Sequence, residues 1–197
     1  MNERKKYMEK VFDEILNDQY GIMYGNKNLV YVKTGRGGNI YGHNDKYVEL
    51  AHKLQKTCGC SVVISANPID SECILSEEID FLNFHLKDIA DIAFVGISAG
   101  ASIGAQQGYL NKKIKRMLLI NGPIMINWPK TKRGIERFEG KFVEMIYGTK
   151  DPSYGYYEIL NCINSSKFRC KSIDGADHNF KGMENVLEEL IVNFVNE

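Results

Sequence analysis

One serine of this sequence stands in a setting that suits a nucleophile. The segment Gly96-Ile97-Ser98-Ala99-Gly100 has the pattern G-x-S-x-G, and an apolar run at residues 92–95 comes directly before it. This order predicts a buried strand, a sharp turn at Ser98 and a helix that begins after it. The two glycines lack a Cβ, so the strand and the helix can approach each other closely. The pattern therefore predicts that the Ser98 hydroxyl is held above the end of the sheet, where the Ala99 amide favours an anion.

A serine hydroxyl is a poor nucleophile unless a base takes its proton, and the base works best when a third group orients it. Residues suited to both roles follow later predicted strands of the chain. Asp151 comes after residues 142–147, and His178 comes after residues 168–173. Because the carboxyl ends of parallel strands meet at one edge of a sheet, we expect these side chains to lie near Ser98.

Other residues compete for these two roles. The remaining histidines are His43, His52 and His85. The last two lie in helical patterns, and the first has no strand end that would set it opposite Ser98. For the acid, Asp174 and Asp177 flank His178 so closely in sequence that they cannot easily orient its ring, and we expect them to cap or order its loop.

The elements that position these residues alternate between strand and helix. The predicted strands are residues 28–33, 61–65, 92–95, 116–120, 142–147 and 168–173. The predicted helices are residues 2–17, 44–56, 77–86, 99–109, 131–138, 154–161 and 183–195. Such alternation predicts the α/β class: a three-layer αβα sandwich around a mostly parallel sheet of about six strands.

Composition and charge limit which binding partners and which cellular compartment we expect for this protein. The 197 residues include 25 Lys plus Arg and 25 Asp plus Glu, so no basic excess indicates a nucleic acid partner. No apolar run is long enough to span a bilayer, and no apolar segment follows the charged residues 1–6, which predicts no signal peptide. We expect a cytoplasmic protein of one domain over residues 1–197, in which residues 1–27 form an amphipathic helix and a connection.

Metal, redox and dinucleotide sites are not indicated. The cysteines are Cys58, Cys60, Cys73, Cys162 and Cys170. Their spacing is irregular, and the first two form C-x-C instead of C-x-x-C, so we expect reduced thiols and no metal. The loop Gly35-x-Gly37-Gly38 has Ile40 where a dinucleotide-binding loop needs its third glycine. We therefore expect no cofactor.

Four separated segments together resemble the α/β-hydrolase fold family. They are Gly35-Arg36-Gly37-Gly38-Asn39, the turn at Ser98, Gly148-Thr149-Lys150-Asp151-Pro152 and Gly175-Ala176-Asp177-His178-Asn179-Phe180. The resemblance covers residues 28–197, and the chain order serine, aspartate, histidine is the one that the family uses. It implies that Ser98 is the nucleophile, that His178 is the general base and then acid, and that Asp151 orients His178.

The resemblance also implies a reaction and an oxyanion hole. A member of this family with these residues would be a serine hydrolase that cleaves a small-molecule carboxylic ester or thioester through an acyl-enzyme on Ser98. The backbone N–H groups of Ala99 and Arg36 would stabilise the tetrahedral intermediate. An acyltransferase or a lyase with the same residues is an alternative. A non-catalytic relative that binds a ligand in the same cleft is another, although the intact Ser98, Asp151 and His178 argue against it.

The sequence departs from the family pattern in two structural respects. The family's oxyanion loop usually begins His-Gly, whereas this chain has Thr34-Gly35, and we expect Thr34 to supply part of the missing hydrogen bonding. The usual first two strands are expected to be absent, with the N-terminal helix in their place.

The segment that carries a lid in many relatives is short here. It comprises only residues 121–141, so we expect an open site without a large cap. Gly35 and Gly37 are predicted to contact the substrate. Met125, Ile126 and Trp128 are expected either to line the site or to pack in the core.

Overall fold

The computed structural model describes residues 11–70 and 72–197. Within them, eight strands form one sheet in the order β1-β2-β4-β3-β5-β6-β7-β8. The strands are β1 (Glu14–Leu16), β2 (Tyr20–Met23), β3 (Asn26–Lys33), β4 (Cys60–Ser65), β5 (Ile92–Ile97), β6 (Ile114–Ile120), β7 (Phe142–Gly148) and β8 (Phe168–Ile173). The pairs from β4 across to β8 are parallel, and β1 and β2 are antiparallel to their neighbours.

Helices cover both faces of this sheet. The α-helices of the described chain are α1 (Lys46–Cys58), α2 (Leu75–Leu86), α3 (Ala99–Gln107), α4 (Trp128–Glu136) and α5 (Glu184–Asn196). Short 3-10 segments occupy His43–Asp45, Gly108–Leu110, Ile124–Asn127 and Pro152–Cys162. The core side chains of α1 and α5 pack together on one face, and those of α2, α3 and α4 pack on the other. None of the helices in the described part of the chain has the length and apolar character needed to cross a membrane.

The central strands are apolar on both sides because both faces are covered. In β3, Val30 and Val32 belong to the core under α1 and α5. Leu29 and Tyr31 alternate with them and belong to the core under α2, α3 and α4. A strand buried on both faces reads as a continuous apolar run, which is why the parallel strands are visible in the sequence. The predicted α/β class and the three-layer sandwich are therefore confirmed.

The predicted sheet of about six strands is too small by two. The segment predicted as a helix over residues 2–17 contains β1, and residues 20–27, predicted as turns, contain β2 and the start of β3. Residues 2–10 of that predicted helix lie outside the described residues. The expectation that the usual first two strands are absent is wrong, because β1 and β2 occupy the edge of the sheet beside β4.

The β1–β2 hairpin has a local physical cause. Its turn contains Asn17 and Asp18 with φ values of 52° and 54°, a conformation that these two residue types tolerate better than most. A Cβ on Gly21 would lie 2.5 Å from the ring of Phe12, so the absence of a side chain there lets Phe12 pack over the hairpin. The remaining difference is the predicted helix over residues 154–161, which is a 3-10 segment, Pro152–Cys162.

Candidate active site

Ser98 lies at the sharp turn between β5 and α3. Its φ of 54° and ψ of −118° lie outside the regions that non-glycine residues usually adopt. The Ser98 N–H donates to the carbonyl of Ile120 at 2.8 Å, and the Ser98 carbonyl accepts from the N–H of Ala101 at 2.9 Å. The turn therefore joins the ends of β5 and β6 to the first turn of α3, with the serine at its apex.

The two glycines of the G-x-S-x-G pattern are required by close backbone contacts. A Cβ on Gly96 would lie 2.5 Å from the carbonyl oxygen of Gly100. A Cβ on Gly100 would lie 2.2 Å from the carbonyl oxygen of Lys33 in β3. Real Cβ atoms do not approach backbone oxygens this closely, so strand and helix can meet at this turn only without these side chains.

A continuous chain of hydrogen bonds joins Ser98, His178 and Asp151. The Ser98 Oγ lies 3.0 Å from His178 Nε2, and His178 Nδ1 is hydrogen-bonded to Asp151 Oδ2. With Nδ1–H donating to the carboxylate, Nε2 has a lone pair to accept the serine proton. The Asp151 side chain is fully buried, whereas 40% of the His178 side chain is exposed. The arrangement can move a proton from serine to histidine while solvent reaches the imidazole.

Asp151 is fixed by the turn that follows β7. Its N–H donates to the carbonyl of Gly148 at 3.0 Å, and its Oδ1 accepts from the N–H of Ser153 at 2.6 Å. One carboxylate oxygen is therefore held by the backbone while the other contacts His178. This division of contacts fixes the orientation of the acid before any ligand binds.

Asn121 connects the loops that carry the acid and the histidine, and the sequence did not single it out for this role. Its buried side chain donates from Nδ2 to the carbonyls of Asp177 and His178, at 3.1 Å each. Its Oδ1 accepts from the N–H of Gly148 at 2.9 Å. Its position directly after β6, at the same edge as the other candidates, is the signal that could have identified it.

Two of the three competing histidines are engaged elsewhere. His52 Nε2 is within hydrogen-bonding distance, 2.9 Å, of the Val11 carbonyl. His85 packs against the ring of Phe81 with centroids 4.4 Å apart. His43 lines the cavity beside Ser98 but has no hydrogen bond to it among the described residues.

The competing aspartates order their loops, as predicted. Asp177 Oδ1 accepts from the N–H groups of Asn179 and Lys181, both at 2.9 Å. These backbone contacts hold the pKa of Asp177 below its usual range. Asp174 accepts from the hydroxyl of Thr149 at 3.3 Å. Neither carboxylate contacts the His178 ring.

The glycine-rich loop after β3 lies against Ser98. A Cβ on Gly35 would lie 3.2 Å from the Ser98 Cβ, so the Gly35 backbone is in contact with the serine. The Thr34 hydroxyl is buried 3.1 Å from the carbonyl of Ser65, consistent with the expectation that Thr34 supplies hydrogen bonding in this loop. Gly37 N–H donates to the carbonyl of Asn67 at 2.7 Å, which ties the loop to the segment after β4.

A buried ion pair anchors the start of this loop. Lys33, the last residue of β3, is 1% exposed, and its Nζ lies 2.7 Å from Glu78 Oε1 in α2. The same ammonium donates to the Ala66 carbonyl at 2.7 Å and the Ser65 hydroxyl at 3.0 Å. All of its donors are therefore satisfied, as burial of a charge requires.

Two backbone amides near Ser98 have free hydrogen-bonding capacity. In the described part of the chain, neither the N–H of Ala99 nor that of Arg36 donates to a protein acceptor. Ala99 opens α3, where N–H groups point out of the helix, and Arg36 follows Gly35 at the serine. These are the two amides that the family resemblance implies for an oxyanion hole.

A cavity of about 590 Å³ opens beside the serine. Gly35, Gly37, Ser98 and His178 line it, and all four are site residues that the sequence analysis singled out. Met125 and Trp128 do not belong to its lining, and their contact with substrate stays a prediction. Trp128 begins α4 and packs against the core under α2, α3 and α4, whereas the cavity is continuous with the core on the other face.

The thiols take no part in this arrangement, and the described residues form no cluster of metal ligands. Within residues 11–70 and 72–197, no group of three or more His, Cys, Asp or Glu side chains could hold a metal ion. The five cysteines are free. Burial raises the pKa of Cys60 to about 12, so this thiol is a poor nucleophile.

No family model and no curated protein matches the sequence. Solved structures do match the fold. Est1E from Butyrivibrio proteoclasticus superposes with a TM-score of 0.70 at 11% identity, over 89% of this chain and 91% of that chain. An α/β serine hydrolase homologue from Coxiella burnetii gives 0.67 at 18% identity, over 88% and 89% of the two chains.

A third structure is the esterase domain of a Rhodothermus marinus protein. It superposes with a TM-score of 0.67 at 11% identity, over 86% of this chain and 87% of that domain. These identities are too low to carry an activity, but the superpositions include nearly the whole of each chain. The chain has the α/β-hydrolase fold.

Proposed function

We propose that this protein is a serine hydrolase that cleaves a small carboxylic ester or thioester through an acyl-enzyme on Ser98. The observation that carries the proposal is the hydrogen-bonded chain from Ser98 Oγ to His178 Nε2, at 3.0 Å, and from His178 Nδ1 to the buried Asp151. A nucleophile, a base and an orienting acid in this order meet the requirements of acyl transfer.

The reaction follows from the positions of these groups. Ser98 Oγ attacks the acyl carbonyl as His178 Nε2 takes its proton, and the tetrahedral oxyanion receives hydrogen bonds from the N–H groups of Ala99 and Arg36. Collapse breaks the bond to the alcohol or thiol, which receives its proton from His178. Water then attacks the acyl-enzyme with His178 as base, and the acid leaves with Ser98 restored.

Two features support hydrolysis over transfer to another acceptor. The His178 side chain is 40% exposed, so water reaches the base. The segment between β6 and β7 is filled by one 3-10 turn and α4, without an inserted domain that would exclude water.

Hydrolysis of activated esters by matched serine variants tests the proposal. 4-Nitrophenyl acetate and S-phenyl thioacetate would be assayed with the parent protein, Ser98→Ala and Ser102→Ala. Ser102 is the matched control, because it lies one turn further along α3 and its buried Oγ has no hydrogen-bond partner among the described residues. We expect Ser98→Ala to lose about 10³-fold or more in kcat, and Ser102→Ala to stay within about tenfold of the parent.

Two results would contradict the proposal. Full activity in Ser98→Ala would show that another group performs the reaction. Absence of activity on both substrates in a correctly folded parent protein would favour the non-catalytic alternative.

A further inference from the structure

The cavity beside Ser98 carries charge of one sign. Apart from His178 and the phenol of Tyr47, the ionisable side chains that line it on described residues are basic: Arg36, His43 and Lys46. No aspartate or glutamate from this part of the chain lines the cavity, although the protein as a whole has equal numbers of acidic and basic residues. The charge of the cavity is therefore a local property and not a consequence of composition.

Two of these side chains lack partners within the protein. Neither the guanidinium of Arg36 nor the imidazole of His43 forms an ion pair or a side-chain hydrogen bond with any residue that the structure describes. By contrast, buried Lys33, a few residues away in the chain, is fully satisfied by Glu78 and by backbone and hydroxyl acceptors. The donors of Arg36 and His43 are therefore available to a ligand.

Lys46, the third basic residue of the cavity, is less exposed than Arg36 and His43. It begins α1, is partly buried, and its ammonium lies 5.1 Å from the centre of the Tyr47 ring. Burial lowers its pKa, and the charge of Glu184 offsets only part of this effect. A negatively charged group in the cavity would act in the same direction as Glu184 and favour the ammonium form.

The rest of the wall is apolar. Tyr47, Phe180 and Leu187 are buried residues of the core under α1 and α5, and their edges line the cavity together with Ile97 and Ile120. The volume of about 590 Å³ is in the usual range for small-ligand sites. The cavity therefore suits a molecule with a short apolar body and one anionic end.

We propose that the substrate is a small ester or thioester that carries an anionic group, such as a carboxylate, which Arg36, His43 and Lys46 bind while the acyl carbonyl lies at Ser98. A planar guanidinium can hold a carboxylate with two parallel hydrogen bonds, and these are stronger than bonds between neutral groups. The proposal rests on the proposed function for its chemistry, but the binding of the anion can be tested without turnover.

Matched ester pairs test the selectivity. One pair places the charge on the acyl side, 4-nitrophenyl hydrogen succinate against its methyl ester. The other places it on the alcohol side, 4-acetoxybenzoate against its methyl ester. We expect at least one anionic ester to exceed its neutral partner about tenfold in kcat/KM, the effect of one charge-assisted hydrogen bond. The preferred pair identifies the side of the ester that carries the charge.

Two lysine variants on the same helix localise the effect. Lys46→Gln should reduce the ratio of anionic to neutral kcat/KM severalfold. Lys56→Gln, an exposed position in the last turn of α1, should leave the ratio at the parent value. Raising the salt from about 0.02 M to about 0.5 M should also reduce the ratio, because an open cavity is screened by ions. Equal rates for both members of both pairs would overturn the proposal, even with Ser98 active.

A binding experiment separates failure of this inference from failure of the proposed function. Ser98→Ala, which cannot form an acyl-enzyme, would be titrated with monomethyl succinate and with dimethyl succinate while the backbone amide resonances of Gly42, His43 and Lys46 are followed. We expect saturable shifts with the anion, weaker shifts with the neutral diester and a loss of affinity in the added Lys46→Gln variant. Indistinguishable responses to both compounds would overturn the anion site whatever the activity of the parent protein.

Discussion

Ser98 holds a backbone conformation that costs free energy. A non-glycine residue at φ 54° and ψ −118° is strained by about 1–3 kcal/mol, and the neighbouring structure must supply this. The Ser98 N–H bond to Ile120 and the close approach of Gly100 to Lys33 fix the turn. The strain lies at the residue to which we assign the nucleophilic role.

The role of Asp151 can be tested by a substitution that keeps its shape. Asp151→Asn retains an oxygen for the Ser153 N–H but removes the charge that stabilises protonated His178 and fixes its tautomer. We expect a fall in kcat of about 10³- to 10⁴-fold with little change in stability, measured by steady-state hydrolysis of 4-nitrophenyl acetate and by urea unfolding.

Asp174→Asn is the matched control for this substitution. It changes the same functional group in the neighbouring loop, where the carboxylate contacts the Thr149 hydroxyl and not the imidazole. We expect less than tenfold loss of kcat. A similar loss in both variants would mean that the acid has been assigned to the wrong loop.

At the residue level, the sequence was informative where residue type and strand order coincide. Ser98, Asp151 and His178 each follow a predicted strand, and parallel strands bring their carboxyl ends together, so their proximity could be expected. Asn121 also follows such a strand, but asparagine is common in turns, and nothing local shows that its amide bridges two distant loops. Its role depends on contacts between residues far apart in sequence.

At the level of elements, the Asn121 side chain holds the loops after β7 and β8 together. Asn121→Ala would leave the buried N–H of Gly148 without its acceptor and release the carbonyls of Asp177 and His178. We expect the free energy of unfolding to fall by about 2 to 4 kcal/mol in urea titrations. We also expect kcat to fall more than KM rises, because the His178 loop loses its attachment.

Asn161→Ala is the control for this variant. Asn161 is exposed, and its amide donates to Glu158 at the surface. A change within about 0.5 kcal/mol is expected there. If Asn121→Ala were as stable and as active as the control, the side-chain bridge would have no role in positioning the histidine.

The junction between β5 and α3 gives a second test of an element. Gly100→Ala would place a methyl group 2.2 Å from the Lys33 carbonyl oxygen, and the backbone of β3 cannot move without disturbing the centre of the sheet. We expect a loss of about 3 kcal/mol or more in the free energy of unfolding, or failure to fold.

Gly155→Ala provides the comparison. A Cβ at Gly155 meets no atom within 4 Å, and its φ is not in the positive range. We expect this variant to be as stable as the parent or slightly more stable, because alanine restricts the unfolded chain. Equal stability of the two variants in urea would contradict the close approach of Gly100 to Lys33 at the turn between β5 and α3.

The N-terminal elements show where local patterns failed. The apolar spacing before residue 17 suits a helix, yet residues 14–16 pair with β2, and β2 pairs with β4 some 40 residues later in the chain. A short strand at a sheet edge depends on its partner more than on its own sequence. The Asn17-Asp18 pair is a local signal that could have indicated the hairpin turn.

For the whole molecule, the alternation of apolar runs was enough to predict the layers but not the number of strands. The five strands β3 to β7 are largely buried and are visible as apolar segments. By contrast, β1 is three residues long and only partly buried. The strands at the edge of a sheet, and their parallel or antiparallel direction, are decided by pairing with segments far away in sequence. A single sequence does not show this pairing.

A buried thiol and a buried phenol should make the free energy of unfolding depend on pH in the alkaline range. Burial raises the pKa of Cys73 to about 12, with a further contribution from Glu78, and raises that of Tyr47 to about 12. In the unfolded chain these groups release their protons from about pH 9 for the thiol and pH 10 for the phenol. The unfolded state therefore binds fewer protons than the folded state between about pH 9 and pH 12.

We expect stability to be complete below about pH 9 and to fall as the pH rises towards 12. Each group contributes a slope of at most about 1.4 kcal/mol per pH unit. Urea titrations from pH 8 to pH 11 under reducing conditions would measure how the free energy of unfolding changes with pH. Cys73→Ala should make this slope shallower. A free energy of unfolding that stays constant or rises over this interval would contradict the burial of these groups.

The central claim, that Ser98 is the nucleophile of a hydrolase, is tested most directly by covalent labelling with a fluorophosphonate. The native protein would be treated with the reagent, and the modified peptide would be identified by mass spectrometry. We expect one adduct on Ser98, formed rapidly in the parent protein, absent in Ser98→Ala and greatly slowed in His178→Ala. Equal labelling of the parent and Ser98→Ala, or an unlabelled parent protein, would contradict it.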